Sequence, residues 1–174
     1  MAVEKEKNIK ESHSAYVDHV VSLRRVTKVT KGGKRFRIAA FVVTGDKNGN
    51  IGIAIGHSKE AAQAIEKATA RARKCMIAIP RRGRTIPYSV QGRHGASRVV
   101  IHPASHGTGN IAGGAARALC NAAGIEDVLI KRLGSSHSMN VAKATLNAFA
   151  KLRTAAHLAK LRGKSVMQLV KELE

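Results

Sequence analysis

The sequence predicts an α+β protein built of two small α/β domains, and three observations carry that reading. The first is the order of patterns: three strand-like stretches precede a helical one, and then two strands, a helix, a strand and another helix follow. The second is a basic break over residues 80–86, marked by proline and glycine, that divides the two blocks. The third is size, since 174 residues, 44% of them hydrophobic, suffice for one large core or two small ones.

Residues 1–15 are polar and charged without an apolar period, so a mobile arm is expected there, with order beginning near Tyr16. Val17 to Thr30 is rich in valine, with threonine and leucine, which suits a pleated strand. Lys31-Gly32-Gly33-Lys34 reads as a turn, and Phe36 with the run Ile38 to Val43 supplies the returning strand. Gly45 to Asn50 is dense in turn formers. Beyond it Ile51, Ile53 and Ile55 alternate with Gly52, Ala54 and Gly56, so one face packs and the other admits close approach. Ser58 is placed to cap a helix from Lys59 to Cys75, with Ala61, Ala64, Ile65, Ala68 and Ala72 inward and Lys67, Arg71 and Lys74 together outside. These elements form a first domain over residues 16–79, three strands followed by a helix.

Met76 to Pro80 is a short apolar connection, and Arg81-Arg82-Gly83-Arg84 then gives the 80–86 linker its charge. The second domain is read over residues 87–153. Thr85 to Gln91 and Ser97 to His102 form its first hairpin, around the basic turn Gly92-Arg93-His94-Gly95. The glycine-rich run from Pro103 to Gly114 leads into an alanine-rich helix that ends at Gly124. Asp127 to Leu133 reads as a strand, and Asn140 to Leu152 as a helix with Val141, Ala144, Leu146 and Phe149 on its apolar side. In the tail, residues 154–174, Ser165 and Gln168 stand at capping-box spacing before a short helix with Leu169, Val170 and Leu173 on one side.

Charge narrows the function. The formal net charge is +20, and no Asp or Glu stands between Glu66 and Glu126. Lys67, Arg71, Arg73, Lys74, Arg81, Arg82, Arg84, Arg93, Arg98 and Arg117 all fall inside that gap. Charge of one sign repels itself, and a nucleic-acid backbone is the partner that offsets it. Aromatic residues make up only 3%, so recognition of shape and backbone fits better than a base-stacking platform. Cys75 and Cys120 lack CxxC spacing and read as buried small hydrophobes in a reduced compartment. No secretory h-region and no apolar run of about 20 residues is visible, so a cytoplasmic setting away from membranes is expected.

Two segments are candidates for chemistry. Around Gly32-Gly33, the cations Lys28, Lys31, Lys34 and Arg35 can neutralise phosphate while the glycines let the backbone approach it; a charged turn that only confers solubility is the other reading. Gly107-Thr108-Gly109 through Gly113-Gly114 stands before a helix start, where amides can hold an anion or the glycines can simply permit tight packing. A kinase reading of this loop lacks nearby carboxylates for Mg²⁺; only the distant Asp18, Asp46, Glu126 and Asp127 could supply them. Gly163-Lys164-Ser165 imitates the end of a Walker A motif without its first glycine or preceding strand. His102 and His106 are four apart, but Pro103 and Gly107 disfavour the helix that a metal pair would need, so neither metal nor cofactor is expected. His94 beside Arg93 reads as a nucleic-acid contact or a solvated turn.

Four motifs in order, Val26-Thr-Lys-Val-Thr-Lys-Gly-Gly-Lys-Arg-Phe, Gly45-Asp-Lys-Asn-Gly-Asn-Ile-Gly, Pro103-Ala-Ser-His-Gly-Thr-Gly-Asn-Ile-Ala-Gly-Gly and Arg162-Gly-Lys-Ser-Val, give the chain a family resemblance. From Tyr16 to Val170 it resembles the fifth protein of the bacterial small ribosomal subunit, the S-five family. The resemblance implies an N-terminal domain like a double-stranded-RNA-binding domain, with a three-stranded antiparallel sheet before its helix. It also implies a C-terminal two-layer α/β domain whose βαβ crossover is left-handed, against the general rule. A topology of this kind is shared with a kinase superfamily, which accounts for the tempting glycine loop.

The implied role is architectural and non-enzymatic: binding small-subunit ribosomal RNA near the neck, beside the proteins S-four and S-eight, steadying head against body, supporting accuracy and lining the messenger RNA entry path. The RNA contacts expected from charge and placement are Arg24, Arg25, Lys28, Lys31, Gly32, Gly33, Lys34, Arg35, Lys67, Arg71, Lys74, Arg81, Arg82, Arg84, Arg93 and His94. Thr27, Lys28, Lys31, Gly32 and Gly33 resemble the family's loop near the spectinomycin site, and Gly107, Thr108, Gly109 and Arg117 match positions facing S-four. Asn110, where the family often has an aliphatic residue, and Arg35, where it has an apolar one, depart from the pattern. A free double-stranded-RNA-binding module outside the ribosome is the alternative, and a small-molecule kinase the more distant one.

Overall fold

The computed structural model describes residues 16–171; the arm expected over residues 1–15, Leu173 and the side chains of Leu169 and Val170 lie outside the described residues. β1 (Val17–Thr30), β2 (Gly33–Gly45), β3 (Asn50–Ser58) and β4 (Ile77–Ala78) form one antiparallel sheet in that order. The turn between β1 and β2 is two residues, Lys31 and Gly32, so Gly33 and Lys34 already belong to the returning strand. Thr30 pairs with Gly33, and a bulge between Val20 and Ser22 resets the register near the other end. β4 was not legible in the sequence because two residues show no period; it closes the sheet by pairing Ile77 with Ile51.

Both faces of this sheet are covered. α1 (Ala61–Lys74) lays Ala64, Ala68 and Ala72 on the face of Ala40 and Val42. The small residues of β3 are what let it approach: a Cβ on Gly52 would stand 2.1 Å from the Ala72 carbonyl oxygen, and one on Gly56 2.1 Å from that of Ala64. The opposite face sends Phe41, Val43 and Ile51 into a larger core shared with the second unit, with Ile53 and Ile55 partly buried against it. The helix begins at Ala61 rather than Lys59, and Ser58 is not its cap. Ser58 ends β3, and its hydroxyl donates to Gln63 Oε1 at 2.8 Å, while Glu60 stands at the cap position without a side-chain cap bond.

The second sheet has the order β5-β6-β8-β7. β5 (Val90–His94) and β6 (Ser97–Pro103) pair through the turn Gly95-Ala96, so Gly92, Arg93 and His94 are strand and not turn, and the strand expected from Thr85 starts five residues later. The reason lies in packing. A Cβ on Gly92 would stand 2.0 Å from the Ala144 carbonyl oxygen, so this glycine admits a helix and does not make a bend.

β7 (Asn110–Ile111), a further strand too short to read, runs parallel to β8 (Val128–Gly134) and is joined to it by α2 (Gly114–Ala123). α2 ends on Gly124 in the left-handed region, φ 73°. α3 (Ser138–Phe149) buries Val141, Ala144 and Phe149 and starts two residues before Asn140.

The tail holds two helices where one was expected. α4 (Ala155–Arg162) is capped by Thr154, whose Oγ1 accepts from the His157 amide at 3.3 Å. α5 (Val166–Lys171) carries the expected capping box: the Gln168 amide donates to Ser165 Oγ at 3.3 Å and the Ser165 amide to Gln168 Oε1 at 3.0 Å. Among the described residues no helix is long and apolar enough to cross a membrane.

Candidate nucleic-acid interface

β3 ends at Ser58, opposite Ile38, so the distal half of the β1–β2 hairpin has no third strand and projects as a ribbon. Every residue from 23 to 37 is exposed. The ribbon carries seven cations, Arg24, Arg25, Lys28, Lys31, Lys34, Arg35 and Arg37, and no carboxylate, so it cannot neutralise itself locally. Pairing sorts most of them by face, since directly opposed residues of an antiparallel pair share one. Arg24, Lys28, Arg35 and Arg37 face the side of the second unit, and Arg24 Nη1 lies 3.4 Å from His137 Nε2 there. Arg25 and Lys34 share the α1 side with Phe36, whose ring is covered by the Arg25 guanidinium at 3.8 Å from its centroid.

Lys28 stands directly opposite Arg35. Like charges so placed destabilise a strand pair unless an anion lies between or over them. Arg37 went unread in the sequence, although alternation from Arg35 was the signal for it. Thr27 pairs with Phe36 behind the tip, and a Cβ on Gly32 or Gly33 would meet nothing within 4 Å, so the tip backbone is open to approach.

The remaining cations divide. Lys67, Arg71 and Lys74 are exposed along α1, Arg71 donating to the Ile55 carbonyl at 3.1 Å. Arg73 turns to the sheet, 2.8 Å from Asp18 Oδ2 and 5.2 Å from the Tyr16 ring centroid. Of the linker trio expected to face RNA, only Arg82 is directed outward without a side-chain partner among the described residues. Arg81 Nη1 donates to the carbonyls of Lys47 and Gly124, at 3.0 and 3.1 Å, and thereby clamps the two units. Arg84 pairs with Glu126 and lies 3.6 Å from Asp127 Oδ2, with Nη1 3.2 Å from His106 Nε2. Arg93 is exposed on β5, its Nε donating to the Gly95 carbonyl at 3.3 Å, and His94 is half-buried at the strand end.

The glycine loop is not an open anion cradle. The Gly107 and Gly109 amides, at φ 87° and 77°, both donate to Asp127 Oδ1, at 3.1 and 2.9 Å. Asp127 is only 3% exposed, so a phosphate on those amides would meet a buried negative charge. Thr108 turns its hydroxyl inward to the Ser105 carbonyl at 2.8 Å. The exposed loop is therefore a braced knob, with Arg117 exposed on α2 behind it. The role of Asp127 had no local signal, because its partners lie 18 and 20 residues away. His102 Nδ1 lies 2.8 Å from Ser89 Oγ, and no group of three His, Cys, Asp or Glu converges among the described residues.

The departures from pattern also have places. Arg35 forms the opposed pair with Lys28, and Asn110 Nδ2 donates to Asn121 Oδ1 at 3.0 Å. Cys120 is buried as expected, and burial, offset slightly by a hydrogen bond from Asn110, pushes its thiol up to about 12. Cys75 is exposed, against expectation, because it follows the last turn of α1.

The two units are welded by the turn at residues 45–50. Asp46 Oδ1 accepts from the amides of Asn48 and Asn50, at 2.7 and 3.0 Å, and Oδ2 from Asn50 Nδ2 at 2.6 Å. The turn so closed donates its Lys47 and Gly49 amides to the Ala122 and Ala123 carbonyls at the end of α2, at 2.9 and 3.0 Å. These carbonyls would otherwise be orphaned at a helix terminus.

A basic hairpin held at a fixed angle to a second sheet defines a rigid two-domain α+β protein built to present positive charge. Residues 16–80 match the family described as "Ribosomal protein S5, N-terminal domain" and residues 92–162 the one described as "Ribosomal protein S5, C-terminal domain". The chain is similar to the small ribosomal subunit protein uS5 of Acidithiobacillus ferrooxidans, 48% identical over 153 residues that cover 87% of each chain. It is likewise similar to uS5 of Lawsonia intracellularis, 46% identical over 90% of this chain and 96% of that one, and of Syntrophobacter fumaroxidans, 46% identical over 92% and 97%. The chain belongs to the ribosomal protein S5 family of the small ribosomal subunit.

Proposed function

We propose that the chain is an architectural, non-catalytic constituent of the small ribosomal subunit in the cytoplasm, holding segments of small-subunit ribosomal RNA at a fixed mutual angle. The observation that carries this is the projecting ribbon, seven cations without a carboxylate and with Lys28 opposite Arg35. Its cations anchor phosphates, the open glycines of the tip let the backbone lie close, and base readout is minor because the ribbon has one aromatic ring, already covered by Arg25. Lys67, Arg71 and Lys74 of α1, Arg82 of the linker, and Arg93 with His94 extend the contact, while Arg81 acts by fixing the domain angle and Arg84 by tying the linker to the second unit.

In this reading the chain sits near the neck beside S-four and S-eight. It steadies the head against the body, lines the messenger RNA entry path and supports accuracy, and its residues Thr27 to Gly33 border the spectinomycin site. The braced loop Gly107-Thr108-Gly109, with Arg117, meets S-four. The test is the salt dependence of association with small-subunit RNA. Lys31→Gln with Lys34→Gln is expected to lower the slope by about 0.7 to 0.9 per lost phosphate contact. An unchanged slope refutes the hairpin assignment. For the loop, a bulky residue at Gly107 is expected to raise miscoding in a reporter assay, and an unaltered error frequency refutes that part.

A further inference from the structure

The second sheet is covered on one face only. Val90, Val99, Ile101 and Val128 turn to α2 and α3 and are buried. The alternate residues turn the other way, and no described element packs over them: Arg93 of β5, Arg98 and Val100 of β6, and Lys131 and Leu133 of β8. Register brings the cations together. Arg93 stands directly opposite Arg98, and Lys131, opposite Val100, is the diagonal neighbour of Arg98. Opposed positions are about 5 Å apart and diagonal ones about 7–8 Å, so the three long side chains reach one patch.

Among the described residues nothing neutralises that patch. β5, β6 and β8 contain no carboxylate. Among the described residues Arg98 and Lys131 make no hydrogen bond or ion pair, and the Arg93 side chain has only its own turn carbonyl, Gly95, at 3.3 Å. Two arginines opposed across a sheet repel, as Lys28 and Arg35 do on the hairpin, and an anion between them reverses the sign of that interaction. The face carries no Phe, Tyr or Trp, and its one imidazole, His102, lies against Ser89 Oγ at 2.8 Å, so it suits a backbone rather than a stacked base.

We propose that this outer sheet face is a second RNA platform, on which Arg93, Arg98 and Lys131 hold adjacent phosphates of small-subunit ribosomal RNA. It rests on the reading of the chain as an RNA-binding constituent, and it adds Arg98 and Lys131 to the contacts. Charge complementarity selects RNA over a protein partner, since the aliphatic groups of this face, Val100, Leu129 and Leu133, are few and interleaved with Arg98 and Lys131. Together with the hairpin of the first sheet, the platform gives the pair of domains two grips.

The test compares the full chain with Arg98→Gln/Lys131→Gln and with Lys31→Gln/Lys34→Gln, binding protein-free small-subunit RNA over a range of potassium chloride concentrations. The outer-face variant is expected to lower the salt slope by about 0.7 to 0.9 for each lost contact while melting no lower than the parent. An unchanged slope in the outer-face variant, beside a lowered one in the hairpin variant, overturns the platform and leaves the hairpin standing. Unchanged slopes in both overturn the RNA reading itself. A deficit seen only with protein-complete particles assigns the face to an acidic protein and overturns the proposal. Acylation of Lys131 in the unsubstituted chain gives a second measure: RNA is expected to protect it, and equal modification with and without RNA counts against the platform.

Discussion

Gly124→Ala tests the weld between the domains. Gly124 holds φ 73°, and a Cβ there would stand 2.0 Å from the Lys47 carbonyl oxygen. The left-handed backbone costs an L-residue about 1–2 kcal/mol, and displacing a packed neighbour about 1–3 more, for a loss of about 2–5 kcal/mol. Gly95→Ala isolates the first term, because Gly95 has φ 55° and its nearest neighbour to an added Cβ, Asn140 Nδ2, is at 3.7 Å. The two variants are expected to differ by about 1–3 kcal/mol, the steric part alone. Urea unfolding followed by circular dichroism reads both; in a chain of this size each kcal/mol is also about 2–4 °C in Tm. The displaced turn is the one that Arg81 clamps, so the loss is interdomain in origin. Equal losses in the two variants refute the claim that the turn at residues 45–50 is seated against α2.

Asp127→Ala removes the acceptor of the Gly107 and Gly109 amides and is expected to speed their hydrogen exchange at a cost of about 1–3 kcal/mol, with Asp127→Asn milder; unchanged exchange in the alanine variant refutes the brace. Burial raises the Asp46 carboxyl, but hydrogen bonds from the Asn50 side chain and the Asn48 and Asn50 amides outweigh it, leaving the group below its usual 3.8. Its contribution is therefore present above pH 3.8 and lost as pH falls through the lower folded value, so Asp46→Asn is expected to flatten acid unfolding below pH 3.8, and an identical acid profile excludes this account. Iodoacetamide is expected to label native chains at Cys75 alone and urea-unfolded chains at both thiols, because Cys120 is buried with its thiol near 12; equal native labelling contradicts the packing.

What the sequence showed and what it hid follow from range. The hairpin was legible because alternation, a glycine pair and charge all act within a few residues. So was the end of α2, where Gly124 alone satisfies a local rule. Gly92 misled for the same reason: beside Arg93 and His94 it looks like a turn, and only the approach of Ala144, 52 positions on, shows that it belongs to a strand. β4 and β7 exist because longer strands offer them an edge, so two residues could not announce them. Arg84 illustrates the limit for sites. Its place in a basic run pointed to RNA, and only folding shows Glu126 and Asp127 beside it.

The carboxylates explain why the positive charge faces outward. Asp18 takes Arg73 and the Thr44 hydroxyl, Asp46 closes its turn, Glu60 accepts from Gln63, and Glu126 with Asp127 hold Arg84. Among the described carboxylates Glu66 alone makes neither a hydrogen bond nor an ion pair. The other described acids thus brace the fold, and the cations they leave unpaired lie on the ribbon, the outer side of α1 and the open sheet. No rearrangement of the chain can then balance its charge of +20, so the counter-charge comes from outside. Salt acts on the two states with opposite sign: it screens repulsion over about 8 Å at physiological strength in the free chain, and it weakens the counterion release that drives the complex. A fold whose described acids serve mainly as internal braces is therefore best matched to surroundings where a polyanion already lies against it.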